Sequence, residues 1–306
     1  MSIALVIQGR DVSTLQQGIE KQLPEVNVQV WPELDDVSKI EFVIAWKCPD
    51  NLLSQFPNLK AVCSLGAGVD GLLALPDLPV VPICRIVEQD LAKQMSDYVL
   101  AQLLSFQYRL HQYTQQQQDA LWAEQSDRMV KSVTVLGIGL LGHQVASCLL
   151  QHGYRVTGWS RTKKTGRDYP CLHGSETLVQ AVADADCVVS ILPATTETDN
   201  LFGRSFFQQM KPSALFINVG RGNTVVEDDL LYALQHNVIT GACLDVFKTE
   251  PLPENHPFWQ LKNLVITPHI AAVTRQQNII DQIVEHFRNL QHGQPLSNQV
   301  NIQQGY

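Results

Sequence analysis

Short apolar runs punctuate the chain, and most are followed by a stretch whose apolar residues recur at helical spacing. The runs are IALVI (3–7), VNVQV (26–30), FVIAW (42–46), KAVCSL (60–65), VVPI (80–83), VTVLG (133–137), RVTGW (155–159), CVVSIL (187–192), ALFINV (214–219), ITGACL (239–244) and LVIT (264–267). Alternation of this kind predicts parallel strands covered by helices on both faces. Eleven runs are many for one open sheet. A long polar helical stretch at 89–118, glutamine-rich at its end, divides them into five and six. The glutamine tract reads as a solvated helix face. We place one domain break near Ser96–Asp97 and a second near His269. The domains expected are 1–96 with 270–306, and 97–269, with the helical stretch 273–291 returning to the first. The fold class is α/β, with two doubly wound parallel-sheet domains and a cleft between them where ligands of such folds bind.

Composition narrows the class. Apolar residues are 45% and charged residues 17% of 306, the profile of a globular protein with room for two cores. The formal net charge of −8 lacks the basic footprint that nucleic acid demands, so local basic clusters matter more than the total. The seven cysteines are odd in number and form no C-x-x-C pair, which suggests neither a disulfide framework nor a metal site. Reduced thiols fit a cytoplasmic protein. The opening MSIALVIQGR has an apolar run too short for a leader or a membrane span, and predicts a first buried strand.

The run VTVLG leads into GIGLLG (137–142) and then into the helical LLGHQVASCLLQHG. Strand, glycine turn and helix in that order form a dinucleotide fingerprint of the Rossmann type. Gly137 allows the tight turn, Gly139 lets the backbone approach a pyrophosphate, and Gly142 lets helix and strand pack closely. Leu140 and Leu141 open the helix whose N–H groups face the anion. The next strand ends at Ser160, where an NAD site places an acid for the ribose 2′-OH. Here Ser160, Arg161, Lys163 and Lys164 follow instead. A serine removes the repulsion of a 2′-phosphate and supplies a hydroxyl donor, arginine binds phosphate through two donors, and the lysines add charge. NADP(H) is therefore expected over NAD(H), which would bind more weakly. A solvated basic turn is the competing reading.

Three later segments begin at ends of expected strands: INVGRGNTVVE (217–227), CLDVFKTEPLP (243–253) and TPHIAAVTR (267–275). With GIGLLG they resemble the D-isomer-specific 2-hydroxyacid dehydrogenases, from the fingerprint to the last helix and more loosely over the whole chain. The resemblance implies a Rossmann cofactor domain beside a flavodoxin-like substrate domain. It implies three catalytic residues. Arg221 holds the substrate carboxylate and polarises the keto oxygen, Glu250 pairs with the histidine, and His269 protonates the carbonyl oxygen during reduction. Hydride arriving at a keto carbon leaves an alkoxide that needs a proton near neutral pH, where histidine titrates. It further implies cofactor contacts from Leu192, Pro193, Val219, Gly220, Asp245 and His269.

AWKCP (45–49) and SLGAGVD (64–70) resemble the substrate loops of the branch that reduces glyoxylate and hydroxypyruvate. On that resemblance Trp46 walls the pocket, the backbone of Leu65, Gly66, Ala67 and Gly68 grips the carboxylate as an anion nest, and Arg275 lies near the substrate. Trp46 as plain core and Arg275 as a surface residue remain alternatives. The function implied is NADPH-dependent reduction of glyoxylate to glycolate and of hydroxypyruvate to D-glycerate. Another 2-hydroxy acid, or a dinucleotide-sensing corepressor-like role, is the alternative. The expected partners are a small 2-keto or 2-hydroxy acid and a second copy of the chain, through the helix near 97–118 and the segment around Trp122. No metal, nucleic acid or membrane is expected.

Overall fold

The computed structural model describes residues 2–66, 68–87, 89–126 and 128–302, apart from the side chains of Gln89, Gln276 and Asn278. The chain divides into two compact units, Met1–Gln89 with Thr274–Tyr306, and Asp90–Val273.

The first unit holds β1 (Ser2–Ile7), α1 (Ser13–Gln22), β2 (Asn27–Val30), β3 (Ile40–Trp46), β4 (Ala61–Ser64), α2 (Asp70–Leu73) and β5 (Ile83–Arg85). The strands are parallel, in the order β2-β1-β3-β4-β5. Every residue of β1 is buried, as expected of a central strand covered on both faces.

The second unit holds α3 (Gln89–Gln107), α4 (Leu110–Gln118), β6 (Ser132–Leu136), α5 (Leu140–Gln151), β7 (Arg155–Ser160), β8 (Cys171–His173), α6 (Leu178–Ala183), β9 (Cys187–Ser190), α7 (Arg204–Gln209), β10 (Leu215–Asn218), α8 (Glu227–Gln235), β11 (Gly241–Leu244) and β12 (Leu264–Ile266). Its sheet is also parallel, in the order β12-β11-β10-β9-β6-β7-β8. That is the Rossmann order extended by one strand, and its direction reverses between β6 and β9.

The last helix, α9 (Gln276–Gln291), rejoins the first unit. Side chains alternate along β1: Ile3, Leu5 and Ile7 pack with Ile279, Ile283 and Phe287 of α9, whereas Ala4 and Val6 face Leu72 and Leu75.

The observed elements depart from the sequence pattern at five points. The helix expected over 89–118 is two helices, because Arg109 turns left-handed at φ 54. An unexpected strand, β8, adds a half-buried three-residue edge. The fifth strand begins at Ile83, after Pro82, which has no N–H to give to a ladder. The first crossing between units lies at Gln89–Asp90 rather than Ser96–Asp97, because Met95, Val99, Leu103 and Phe106 of α3 belong to the core of the second unit. The second crossing follows Val273 rather than His269, since the loop after β12 stays bonded to that unit. No helix among the described residues is long and apolar enough to cross a membrane.

Candidate active site

In the second unit, the residues singled out by motif gather at the carboxyl ends of parallel strands. After β6, Gly137 adopts φ 102, and its N–H donates to the carbonyl of Trp159 in β7 at 2.8 Å. A Cβ on Gly142 would lie 1.8 Å from the Gly137 carbonyl oxygen, so glycine is what lets α5 start against the strand end. A Cβ on Gly139 would meet nothing within 4 Å. Gly139 is also the N-cap of α5, and no side chain caps that end. The open glycine and the uncapped 12-residue helix leave this end suited to an anion such as a pyrophosphate. Leu140 at that end is exposed.

At the end of β7 the Ser160 hydroxyl is buried and donates to the Thr162 carbonyl at 2.8 Å. Its proton is thus taken within its own turn, contrary to its expected use as a donor to a ligand. Arg161 projects with half its side chain exposed, and its Nη1 lies 3.5 Å from Oε1 of Glu197. Lys163 is exposed and Lys164 half-buried. The sequence pattern had not pointed to Glu197. Leu192 and Val219 are buried behind this edge, Pro193 is half-buried, and a Cβ on Gly220 would lie 2.5 Å from the Leu192 carbonyl oxygen.

The Arg221 loop is built by its neighbours. Fully buried Asn218 accepts from the Gly220 N–H at 3.1 Å and donates to the Arg221 carbonyl at 3.0 Å. A Cβ on Gly222 would come 2.0 Å from the Phe247 carbonyl carbon, so the GRG turn lies directly on the backbone of the DVFKTEP loop. The Arg221 guanidinium donates from Nη1 to the Gly220 carbonyl at 2.8 Å.

On the next loops, Glu250 Oε1 accepts from the Phe247 N–H at 3.1 Å, and its Oε2 lies 2.9 Å from His269 Nδ1. With Nδ1 so engaged, Nε2 is the ring nitrogen left for a substrate. The pair is part-exposed, 38% for the histidine side chain and 29% for the glutamate. His269 has a left-handed backbone, φ 58, and its N–H donates to the Asp245 carbonyl at 2.9 Å. The buried Asp245 carboxylate accepts from Ile270 N at 2.9 Å and Ala271 N at 2.8 Å. Asp245 therefore braces the histidine loop.

In the first unit, Trp46 ends β3 and the 65–68 loop follows β4. A Cβ on Gly66 would lie 2.9 Å from Trp46 Cζ3, so the indole lies against this loop. The Arg10 guanidinium stacks 4.2 Å above the indole centroid, a contact with no sequence motif to announce it. The Leu65 N–H donates to the Ala45 carbonyl at 3.0 Å, which removes it from the expected anion nest. The Gly66 N–H faces Ser64 Oγ at 3.5 Å, and that hydroxyl donates to the Gly68 carbonyl at 2.7 Å. Ala67 lies outside the described residues. Arg275 is the exposed N-cap of α9.

Residues 100–271 match the family model for the NAD-binding domain of D-isomer-specific 2-hydroxyacid dehydrogenases. Glyoxylate/hydroxypyruvate reductase A of Photorhabdus laumondii is 35% identical over 304 residues, 97% of this chain and 97% of the relative. A D-isomer-specific 2-hydroxyacid dehydrogenase from Xanthobacter autotrophicus Py2, solved with NADPH and MES, superposes with a TM-score of 0.92 at 34% identity, covering 100% of this chain and 99% of its own. The NADPH-dependent glyoxylate/hydroxypyruvate reductase of Sinorhizobium meliloti, solved with NADP and sulfate, gives 0.92 at 30% identity with the same coverage. The chain belongs to the D-isomer-specific 2-hydroxyacid dehydrogenase family.

Proposed function

We propose that this enzyme reduces small 2-keto acids with NADPH, glyoxylate to glycolate and hydroxypyruvate to D-glycerate. The observation that carries the reading is the His269–Glu250 pair, on the same strand-end edge as Arg221 and the glycine cradle. The unit Asp90–Val273 holds the dinucleotide, and the unit Met1–Gln89 with Thr274–Tyr306 contributes the substrate loops.

The glycine turn and the first turn of α5 hold the pyrophosphate, and Arg161, Lys163 and Lys164 hold the 2′-phosphate. NADPH is therefore preferred and NADH is the weaker alternative. Leu192, Pro193, Val219, Gly220 and Asp245 line the remaining cofactor surface. When bound, the cofactor supplies the hydride for the keto carbon. Arg221 grips the substrate carboxylate with two parallel donors and draws charge towards the keto oxygen. His269 gives that oxygen its proton from Nε2, while Glu250 fixes the ring through Nδ1. Trp46 limits side-chain size. Gly66, Gly68 and Arg275 complete the grip on the acid.

A homodimer is part of the proposal. It is supported by Tyr108, Leu110, Leu121, Trp122 and Met129, large apolar side chains exposed along one stretch of the second unit. Trp122→Glu should shift the molecular mass in light scattering towards the single chain.

The deciding experiment follows NADPH oxidation with glyoxylate, hydroxypyruvate and pyruvate supplied separately, and repeats each with NADH. Turnover of the first two with NADPH, and a higher kcat/KM than with NADH, is the expected result. No turnover of any keto acid by folded, NADPH-binding protein would overturn the proposal.

A further inference from the structure

One helix holds the histidine loop at both ends. Gln94 and Tyr98 lie four residues apart on α3, so their side chains leave the same face one turn apart. At the start of the loop, Tyr98 Oη is 2.6 Å from Thr267 Oγ1. At its end, Gln94 accepts from the Val273 N–H at 3.1 Å and donates to the Val273 carbonyl at 3.3 Å.

The proton inventory gives the first contact a direction. Thr267 Oγ1 lies 2.5 Å from Asp245 Oδ1. A carboxylate only accepts and a hydroxyl has one proton, so Thr267 donates to Asp245. Tyr98 must then donate to Thr267, and its oxygen is left to accept from the Cys243 thiol, 3.4 Å away. Burial pushes the Tyr98 phenol well above its ordinary range, which keeps it a neutral donor. Asp245 passes the constraint on through the amides of Ile270 and Ala271 and, by its carbonyl, the amide of His269.

A non-glycine residue at φ 58 persists only where its surroundings hold it, because the left-handed region crowds a side chain. The bonds from α3 and Asp245 are that hold. We infer that Tyr98, Thr267 and Gln94 are positioning residues for the proton donor: α3 aims the His269 ring through the chain Tyr98–Thr267–Asp245 and anchors the far end of the loop through Gln94. None of the three needs to touch substrate. The inference rests on His269 acting as proposed above.

The test uses the full-length protein. Tyr98→Phe and Thr267→Val each delete one hydroxyl, and Thr267→Ser keeps both hydrogen bonds. Each deletion should lower kcat about 10-fold, within the hundredfold that a misplacement of roughly 1 Å can cost. KM and NADPH affinity should stay within about twofold, because neither deleted hydroxyl belongs to the substrate or cofactor grip proposed above. The solvent deuterium isotope effect on kcat should rise as protonation becomes slower. Thr267→Ser should restore most of the rate, and Tyr98→Phe with Thr267→Val should be little worse than Thr267→Val alone.

Parental kcat in both folded deletions would overturn the inference, as would an equal loss in Thr267→Ser. If both deletions unfold, the hydroxyls are structural and the inference falls. His269→Gln in the same assay separates this from the function itself. Parental turnover there sinks the proton-donor reading, whereas collapse there with unaffected Tyr98→Phe and Thr267→Val sinks only the role of α3.

Discussion

His269 Nδ1 and Glu250 Oε2 meet at 2.9 Å across two loops, 19 residues apart in the chain. The contact engages Nδ1, so on the proposed reading Nε2 is the nitrogen that gives the proton. His269→Ala should lower kcat for keto-acid reduction by at least about 100-fold, the loss expected when a general acid is removed. Glu250→Gln should lose less, about 10-fold, because an amide can still orient the ring but carries no charge. Steady-state kinetics with NADPH and glyoxylate checks both. A Glu250→Gln enzyme as fast as its parent would reject the pairing.

Arg161 is the strongest candidate for telling the two nicotinamide cofactors apart. Arg161→Ala should weaken NADPH by roughly 10- to 100-fold, the equivalent of one or two charge-assisted hydrogen bonds. NADH should change little. Glu197 competes for the same guanidinium, so Glu197→Gln should tighten NADPH modestly. Fluorescence titration of both cofactors reads the difference, and equal losses for both in Arg161→Ala would refute the assignment.

The last two glycines of the fingerprint should fail in different ways. A methyl on Gly142 meets the Gly137 carbonyl at 1.8 Å, and backbone must move. Gly142→Ala should therefore cost stability, about 1–3 kcal/mol by overpacking, and cofactor binding with it. Gly139→Ala has open space around it, so the melting temperature should hold while the dinucleotide affinity drops. Thermal melts with and without NADPH distinguish the two.

Trp46 should act as a size filter. Trp46→Ala opens volume beside the 65–68 loop and removes the partner of Arg10. The kcat/KM for phenylpyruvate should then rise relative to glyoxylate and hydroxypyruvate. An unchanged ranking would return Trp46 to the core.

Asp186 should set part of the acid limit of stability. Burial pushes its carboxyl up, but Lys211 and the amides of Lys131 and Ser132 outweigh burial and hold it down at about 2. A carboxyl depressed on folding adds stability above its ordinary range, about pH 4, and loses it as pH falls towards 2. Asp186→Asn should lower stability at neutral pH by about 1–2 kcal/mol, discounted because the group is partly solvated, and should flatten the fall between pH 4 and pH 2. Urea melts across that window measure it.

What the chain revealed in advance followed the range of the forces involved. The glycine turn was legible because its three glycines act within six residues of one another. Strands such as β1 and β3 were legible because burial on both faces leaves five apolar residues in a row. The edge strand β8 was not, since its residues CLH are only half-buried and carry no alternation. Arg109 gave no warning of a break, because arginine is a good helix former and only its backbone departs from the helix. Tyr98 was invisible as a site residue, with its partner Thr267 lying 169 positions away. The occupied Leu65 amide and Ser160 hydroxyl were equally hidden, since hydrogen-bond partners across loops have no periodic signature.

The left-handed backbone of His269 also predicts how this protein would answer selection for toughness. Asparagine tolerates that conformation better than histidine does. A screen that rewards heat resistance alone should therefore accept His269→Asn, and discard the proposed proton donor in doing so. The family's chemistry is kept at a position where the chain would be more comfortable without it, so thermostable variants of this enzyme need an activity filter at residue 269 before any other.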